Sequence, residues 1–174
     1  NDCSTDKTSA IIESINNSND SLEIIHLDRR KNLGPNSNFI DAYKCVRGEY
    51  VALCEGDDYW TDPLKLQKQV DFLENNQDYE LCFTNINVID ESGKIILEKL
   101  IKNIRKTSFS HQDMPIWSPT LTRVFKNRNF QELNTNVPGM DTFMLIYQST
   151  MGKIKFLDEI NDFVMSVEKK YEEA

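Results

Sequence analysis

The sequence predicts an α/β fold, with a mostly parallel sheet flanked by helices in its first half and mixed α+β elements in its second half. Three observations predict it. Helix-like and strand-like patterns alternate from Ser4 to Asn76. The apolar runs at residues 22–27 and 50–54 have the length of buried strands rather than membrane spans. A polar loop follows each run, carrying Gly34-Pro35 in one case and a carboxylate cluster in the other.

The elements follow in order. Ser4-Thr5-Asp6 offers helix-capping side chains, and Ala10, Ile11, Ile12 and Ile15 then fall on one helical face. Residues 22–27 read as a strand and residues 29–36 as a loop. Phe39, Ile40, Tyr43 and Val46 recur at helical spacing up to Gly48, a helix stop. Residues 50–54 read as the next strand, and residues 55–59 as a polar loop. Asp62-Pro63 starts a helix carrying Leu66, Val70 and Leu73 and ending near Asn75-Asn76. Residues 81–89 and 94–97 flank Asp90-Glu91-Ser92-Gly93 as a hairpin. A strand is expected over residues 118–125, a helix over 139–150, a strand over 153–157 and a terminal helix from Asn161 to Glu173.

Composition narrows the function. The chain has 174 residues, 39% hydrophobic and 28% charged, which fits one globular domain able to bury a core. Its net charge of −8 argues against nucleic acid, whose phosphates need Lys and Arg. It does not argue against a nucleotide, because a bound divalent cation reverses the local sign. No apolar run approaches the ~20 residues of a bilayer span. The chain opens Asn1-Asp2-Cys3-Ser4, neither basic nor apolar and without an initiator Met. The expectation is therefore a cytoplasmic protein read as an excised domain or gene fragment. Cys45, Cys54 and Cys82 lie inside apolar patterns and are expected to be reduced core thiols.

Glu55-Gly56-Asp57-Asp58 carries the strongest chemical signal, directly after the strand at 50–54. In a doubly wound sheet, ligands sit beyond the carboxyl ends of strands. Three carboxylates in four residues repel one another unless a cation sits among them, and hard oxygen donors suit Mg²⁺ or Mn²⁺. A solvated acidic turn is the plain alternative. At the N-terminus, Asn1-Asp2-Cys3-Ser4-Thr5-Asp6 leads into a helix, and Asp2 is expected beside the acidic loop on one sheet edge. Capping accounts for Ser4 or Asp6 and leaves Asp2 free. Arg29, Arg30 and Lys31 form a basic spot that either reaches a diphosphate or is simply solvated.

These segments together resemble family 2 glycosyltransferases. Asn1 to Asp6 is similar to that family's N-D-G-S-x-D segment. Glu55 to Trp60 is similar to its D-x-D-D form of the DXD motif. Asn32-Leu33-Gly34 and Gly48-Glu49-Tyr50-Val51 resemble the N-x-G and G-x-Y/F segments between them. Asp62-Pro63-x-Lys65-Leu66-x-x-Gln69 matches the helix that follows in many members. The resemblance is close over residues 1–87 and loose beyond.

The resemblance implies a GT-A, Rossmann-type fold in a single domain, with residues 1–90 binding the nucleotide sugar and 91–174 facing the acceptor. It implies that the first strand–helix unit is missing. It implies inverting, metal-dependent transfer of a sugar from a nucleotide-diphosphate sugar to a hydroxyl acceptor, a glycan or lipid-linked sugar, in polysaccharide or cell-surface glycan synthesis. Peripheral membrane association enters with such acceptors. Asp2 stands at the base-contacting aspartate, Glu55 at the ribose contact and Asp57 at the metal ligand. Asp58 is the extra acid of the motif, assigned to the metal. Arg29 and Asn32 join the donor side. Glu55 departs from the family's aspartate, which leaves its role the least fixed. Gly139-Met140-Asp141 resembles the later acidic motif, whose acid serves as general base; the plain alternative for Asp141 is helix capping. Trp117 lies in the acceptor-side stretch, where core packing is favoured over stacking on a sugar. Two rival readings are a non-catalytic relic and a nucleotidyltransferase, although no Gly-rich basic phosphate loop is visible for the latter.

Overall fold

In a computed structural model of the chain, the described residues are 1–18, 22–128, 130 and 136–165, with side chains as far as residue 158. They form two compact units, Asn1–Arg47 with Arg128–Met140, and Gly48–Asn127 with the residues from Asp141 onward.

The first unit holds α1 (Thr8–Asn17) and α2 (Pro35–Tyr43). The Asp6 carboxylate accepts the Thr8 backbone N–H at 2.9 Å and its hydroxyl at 2.6 Å, which opens α1. Gly34 precedes α2 at φ 80°, in the left-handed region that favours glycine, and Pro35 starts the helix with its φ already set. α2 buries Ile40 and Tyr43. The Tyr43 ring meets Phe130 edge-on at 5.3 Å, and its hydroxyl donates to the Arg128 carbonyl at 3.0 Å.

The second unit holds the sheet. Its strands are β1 (Tyr50–Ala52), β2 (Asp58–Trp60), β3 (Tyr79–Ile89), β4 (Ile95–Leu97), β5 (Ser108–Phe109), β6 (Val124–Lys126) and β7 (Lys153–Met165). Strand order is β1-β6-β3-β7-β2, with β4 on β3 and β5 on β7. β3 is the buried spine, with every residue from Glu80 to Ile89 buried. Two helices belong to this unit, α3 (Lys65–Asn75) and α4 (Met140–Ser149). α3 seats Leu73 against Cys82 and Val124, with Val70 and Phe72 closing the cluster. Asp62 caps its approach, accepting the Leu64 N–H at 2.8 Å.

The helix-flanked α/β sheet is present, with differences in detail. The sheet is mixed rather than mostly parallel. β3 and β7 form a long parallel ladder, and the other described pairs are antiparallel. The expected strand at 22–27 is not a strand, and Leu22 and Ile25 are 61% and 48% exposed. A strand needs a backbone partner, and every described ladder lies within residues 50–165. Asp58 and Tyr59, expected in a loop, open β2, which pairs with β7. The 90–93 hairpin forms as expected, with Gly93 at φ 82° and the Asp90 carboxylate accepting the N–H groups of Ser92 and Lys94. The strand expected at 118–125 is a 3-10 turn, Thr120–Thr122, followed by β6. β7 runs on to Met165, where the terminal helix was expected to have begun; residues 166–174 lie outside the described residues. Its parallel partner β3 extends the ladder through residue 165, and that long-range pairing overrides local helical periodicity.

Of the cysteines expected in the core, Cys82 is buried, Cys45 half-buried and Cys54 exposed. Burial pushes the Cys82 thiol up to about 12. Trp117, for which a core position was favoured, is 58% exposed. It lies in an irregular stretch between Pro115 and Pro119, and proline cannot donate to a ladder.

Candidate functional site

In the second unit, β1 leads directly into the acidic segment. The turn is closed by the Asp58 N–H donating to the Glu55 carbonyl at 3.2 Å. Glu55 and Asp57 are exposed, and Asp58 is half-buried at the start of β2. Glu55 is exposed as a residue, yet atoms crowding its carboxyl strip away water and raise its pKa above the ordinary value. Its own backbone N–H, Arg123 and the Asp58 side chain pull the value back, while charge on Asp57 pushes it up. The turn offers the carboxylate oxygens of Glu55, Asp57 and Asp58, hard donors of the kind that suit a divalent cation. Among the described residues, no three His, Cys, Asp or Glu groups converge on one point. Mg²⁺ does not need such a cage, since it is commonly held by one or two carboxylates plus substrate phosphates and water.

Arg123 lies between the acidic turn and α4. It is 3% exposed. Its Nε donates to the Ser118 hydroxyl, its Nη2 to the Ser118 carbonyl and its Nη1 to the Asp141 carbonyl, each at 2.8 Å. Burial lowers its pKa to about 10, against the opposing pull of the Asp141 and Glu55 carboxylates. Asp141 itself is exposed in the first turn of α4, where a carboxylate is favoured by the helix dipole.

The backbone around Arg123 is gripped from the acidic segment's side. The Leu121 carbonyl accepts the Trp60 indole N–H at 2.9 Å, and the Thr122 carbonyl accepts the Gln69 amide at 2.9 Å. The Arg123 carbonyl accepts the Leu53 N–H at 3.3 Å. Lys65, buried like Gln69, donates to the Gln69 side-chain oxygen at 2.6 Å and stands 4.9 Å from the Trp60 ring centroid. Lys65 and Gln69 of the motif are thus internal struts, while Leu66 is exposed.

In the first unit, Asp2 is tied to the start of α2. Its two oxygens accept the Leu33 N–H at 2.7 Å and the Gly34 N–H at 2.9 Å. The Asn32 side chain also accepts the Gly34 N–H, at 2.8 Å. Arg29 places its Nη2 2.6 Å from the Asp41 carboxylate on α2. The structure therefore brings Asp2 and Asn32 together on one loop, with Arg29 paired nearby to α2. In the second unit it brings Glu55 and Asp141 near Arg123, with Asp57 and Asp58 on the same turn as Glu55. Cys3 stands at φ 68°, where the similar N-D-G-S segment has glycine.

Residues 1–159 match a family model described as Glycosyl transferase family 2. The chain belongs to glycosyl transferase family 2. Among curated relatives, an uncharacterized protein of Mycobacterium tuberculosis is 46% identical over 133 residues, covering 75% of this chain and 38% of that protein. An uncharacterized glycosyltransferase of Methanocaldococcus jannaschii is 37% identical over 75 residues, covering 43% of this chain and 26% of that one. Among solved structures, the 1–349 fragment of S. aureus TarS matches with a TM-score of 0.66 at 18% identity, over 94% of this chain and 49% of that one. The same fragment in complex with UDP-GlcNAc matches with a TM-score of 0.66 over 97% of this chain and 49% of that one. The chain thus spans well under half the length of these curated relatives and about half of the TarS fragment. This likeness establishes a GT-A fold for the family 2 domain.

Sequence reasoning missed Arg123 and its partner Ser118. The available signal was a single arginine between Leu121-Thr122 and Val124-Phe125, an unusual place for a charge in an apolar run. Among the described residues, no helix is long and apolar enough to cross a membrane.

Proposed function

We propose that this family 2 domain transfers a sugar, with inversion, from a nucleotide-diphosphate sugar to a hydroxyl acceptor. The observation that carries the reading is that Arg123 bonds both to Leu53, two residues before the acidic turn, and to the Asp141 carbonyl within one unit. A donor-side acid cluster and an acceptor-side base need such a fixed relation, because displacement depends on near-attack geometry.

In this reading Asp57 and Asp58 hold Mg²⁺ or Mn²⁺, Glu55 contacts the ribose, and Asp2 contacts the base with Asn32 and Arg29 on the donor side. A bound divalent cation would offset negative charge on the departing diphosphate. Asp141 accepts the proton of the acceptor hydroxyl as its oxygen attacks the anomeric carbon. The bond from that carbon to the diphosphate oxygen breaks, and the diphosphate leaves with the electron pair. Residues 1–90 serve the donor and residues 91–174 the acceptor. UDP-GlcNAc, bound by the TarS fragment, supports a nucleotide-sugar donor and is the first to try. Exposed Trp117 supports a sugar-stacking acceptor surface. The four free cysteines support a reducing, cytoplasmic setting. Polysaccharide or cell-surface glycan synthesis is the proposed pathway class, with peripheral membrane association where the acceptor is lipid-linked.

A thermal-shift screen of nucleoside diphosphates and UDP-GlcNAc, with and without Mn²⁺, tests the donor side. Stabilisation by one nucleotide only when Mn²⁺ is present supports the reading, and no shift with any of them counts against it.

A further inference from the structure

We propose that Arg123 is a positioning residue for transfer, fixing Asp141 relative to the acidic turn. The proposal rests on the reading of Asp141 as general base.

Three consecutive residues form the junction. The carbonyls of Leu121, Thr122 and Arg123 accept hydrogen bonds from Trp60, Gln69 and Leu53, at 2.9, 2.9 and 3.3 Å. Leu53 immediately precedes the acidic segment, Trp60 closely follows it, and Gln69 sits on α3 behind it. The backbone of the junction is therefore held by the elements that carry Glu55, Asp57 and Asp58. Its one charged side chain points the other way in bonding terms. It spans Ser118 and the carbonyl of Asp141 at 2.8 Å, and so grips the first turn of α4.

A buried guanidinium is a costly strut. Desolvating a cation costs several kcal/mol in real proteins, and an apolar side chain of similar volume is often no less stable. What the guanidinium adds is direction. Its planar fork presents donors at fixed angles, and all three of its recorded bonds are used to lock one carbonyl of α4 against Ser118. A lysine ammonium, a point donor on a flexible stem, cannot span the same three acceptors. The Glu55 and Asp141 carboxylates both act on this one guanidinium. The geometry thus sets the first turn of α4 at a fixed distance from the donor-binding turn.

A residue that works this way lowers turnover through Asp141 and leaves donor affinity nearly intact. Misplacing a reacting group by about 1 Å costs on the order of 10²-fold. The test is a double-mutant cycle of Arg123→Met with Asp141→Asn, reading kcat and donor KM for sugar transfer. Arg123→Met alone is expected to lower kcat by roughly 10- to 100-fold, with donor KM changed by less than about threefold. Arg123→Lys is expected to recover part of the loss. In the Asp141→Asn background, adding Arg123→Met should cost less than about twofold, because residues acting as one unit are not additive. Arg123→Lys, the milder change, carries the same cycle if Arg123→Met does not fold. An equal fold-loss in both backgrounds, or a loss confined to donor KM, overturns the proposal while leaving Asp141 as base. Parental transfer by Asp141→Asn instead removes the base reading, and the proposal falls with it.

Discussion

The Gln69 side-chain amide lies 2.9 Å from the Thr122 carbonyl and joins α3 to the turn that precedes Arg123. Gln69 is fully buried, and its oxygen accepts the buried Lys65 ammonium at 2.6 Å. Gln69→Leu keeps most of the volume but withdraws the partner of a buried carbonyl and of a buried cation. The expected cost is about 2–4 kcal/mol, from the penalty for stranding buried polar groups. Urea unfolding measures it, and a change under about 0.5 kcal/mol, the scale of an ordinary surface substitution, would show that the strut is dispensable.

Asp57 is exposed, and its charge raises the pKa of neighbouring Glu55. Removing it relieves repulsion in the turn. Asp57→Ala should keep the parental melting temperature and lose Mn²⁺-dependent nucleotide binding. Calorimetric titration with a nucleoside diphosphate in Mn²⁺ decides this, and parental affinity in the variant would remove Asp57 from the metal site.

Asp141→Asn preserves shape and removes the proton acceptor. Its side chain is exposed, and the Arg123 bond goes to the backbone carbonyl, so the variant should fold normally. Nucleotide-sugar binding should persist while transfer falls by roughly 10²–10⁴-fold, the usual contribution of a positioned base. Single-turnover measurement with saturating donor separates the two, and near-parental transfer would move the base role to another carboxylate.

Cys3 occupies the left-handed region at φ 68°. A side chain there costs roughly 1–2 kcal/mol relative to ordinary backbone. Glycine removes that strain but gains freedom in the unfolded chain. Cys3→Gly is expected to stabilise the protein by up to about 1 kcal/mol from these opposing terms. Chemical denaturation of the two proteins compares them, and a destabilised variant would mean that Cys3 makes contacts outweighing its strain.

Much of this protein was determined by its sequence read alone. The acidic turn after β1, the Asp62-Pro63 entry to α3, the hairpin at Asp90–Gly93 and the start of α4, with Asp141 in its first turn, are local features. Each is set by capping, turn chemistry or short-range periodicity, which are properties of neighbouring residues. The family resemblance was legible for the same reason, since its motifs are contiguous. Tertiary structure alone decided the rest. Whether an apolar run becomes a strand depends on a partner distant in sequence. Residues 22–27 have none among the described ladders, whereas β7 is drawn out to Met165 by β3. Pairing direction, which makes the sheet mixed, is likewise invisible to periodicity, because parallel and antiparallel strands share a repeat of two. Sequence reading passed over Arg123, and only the fold gathers Ser118, Asp141, Trp60, Gln69 and Leu53 around its turn. A buried charge is tolerable only with partners, and those partners come from separate elements that the chain brings together on folding.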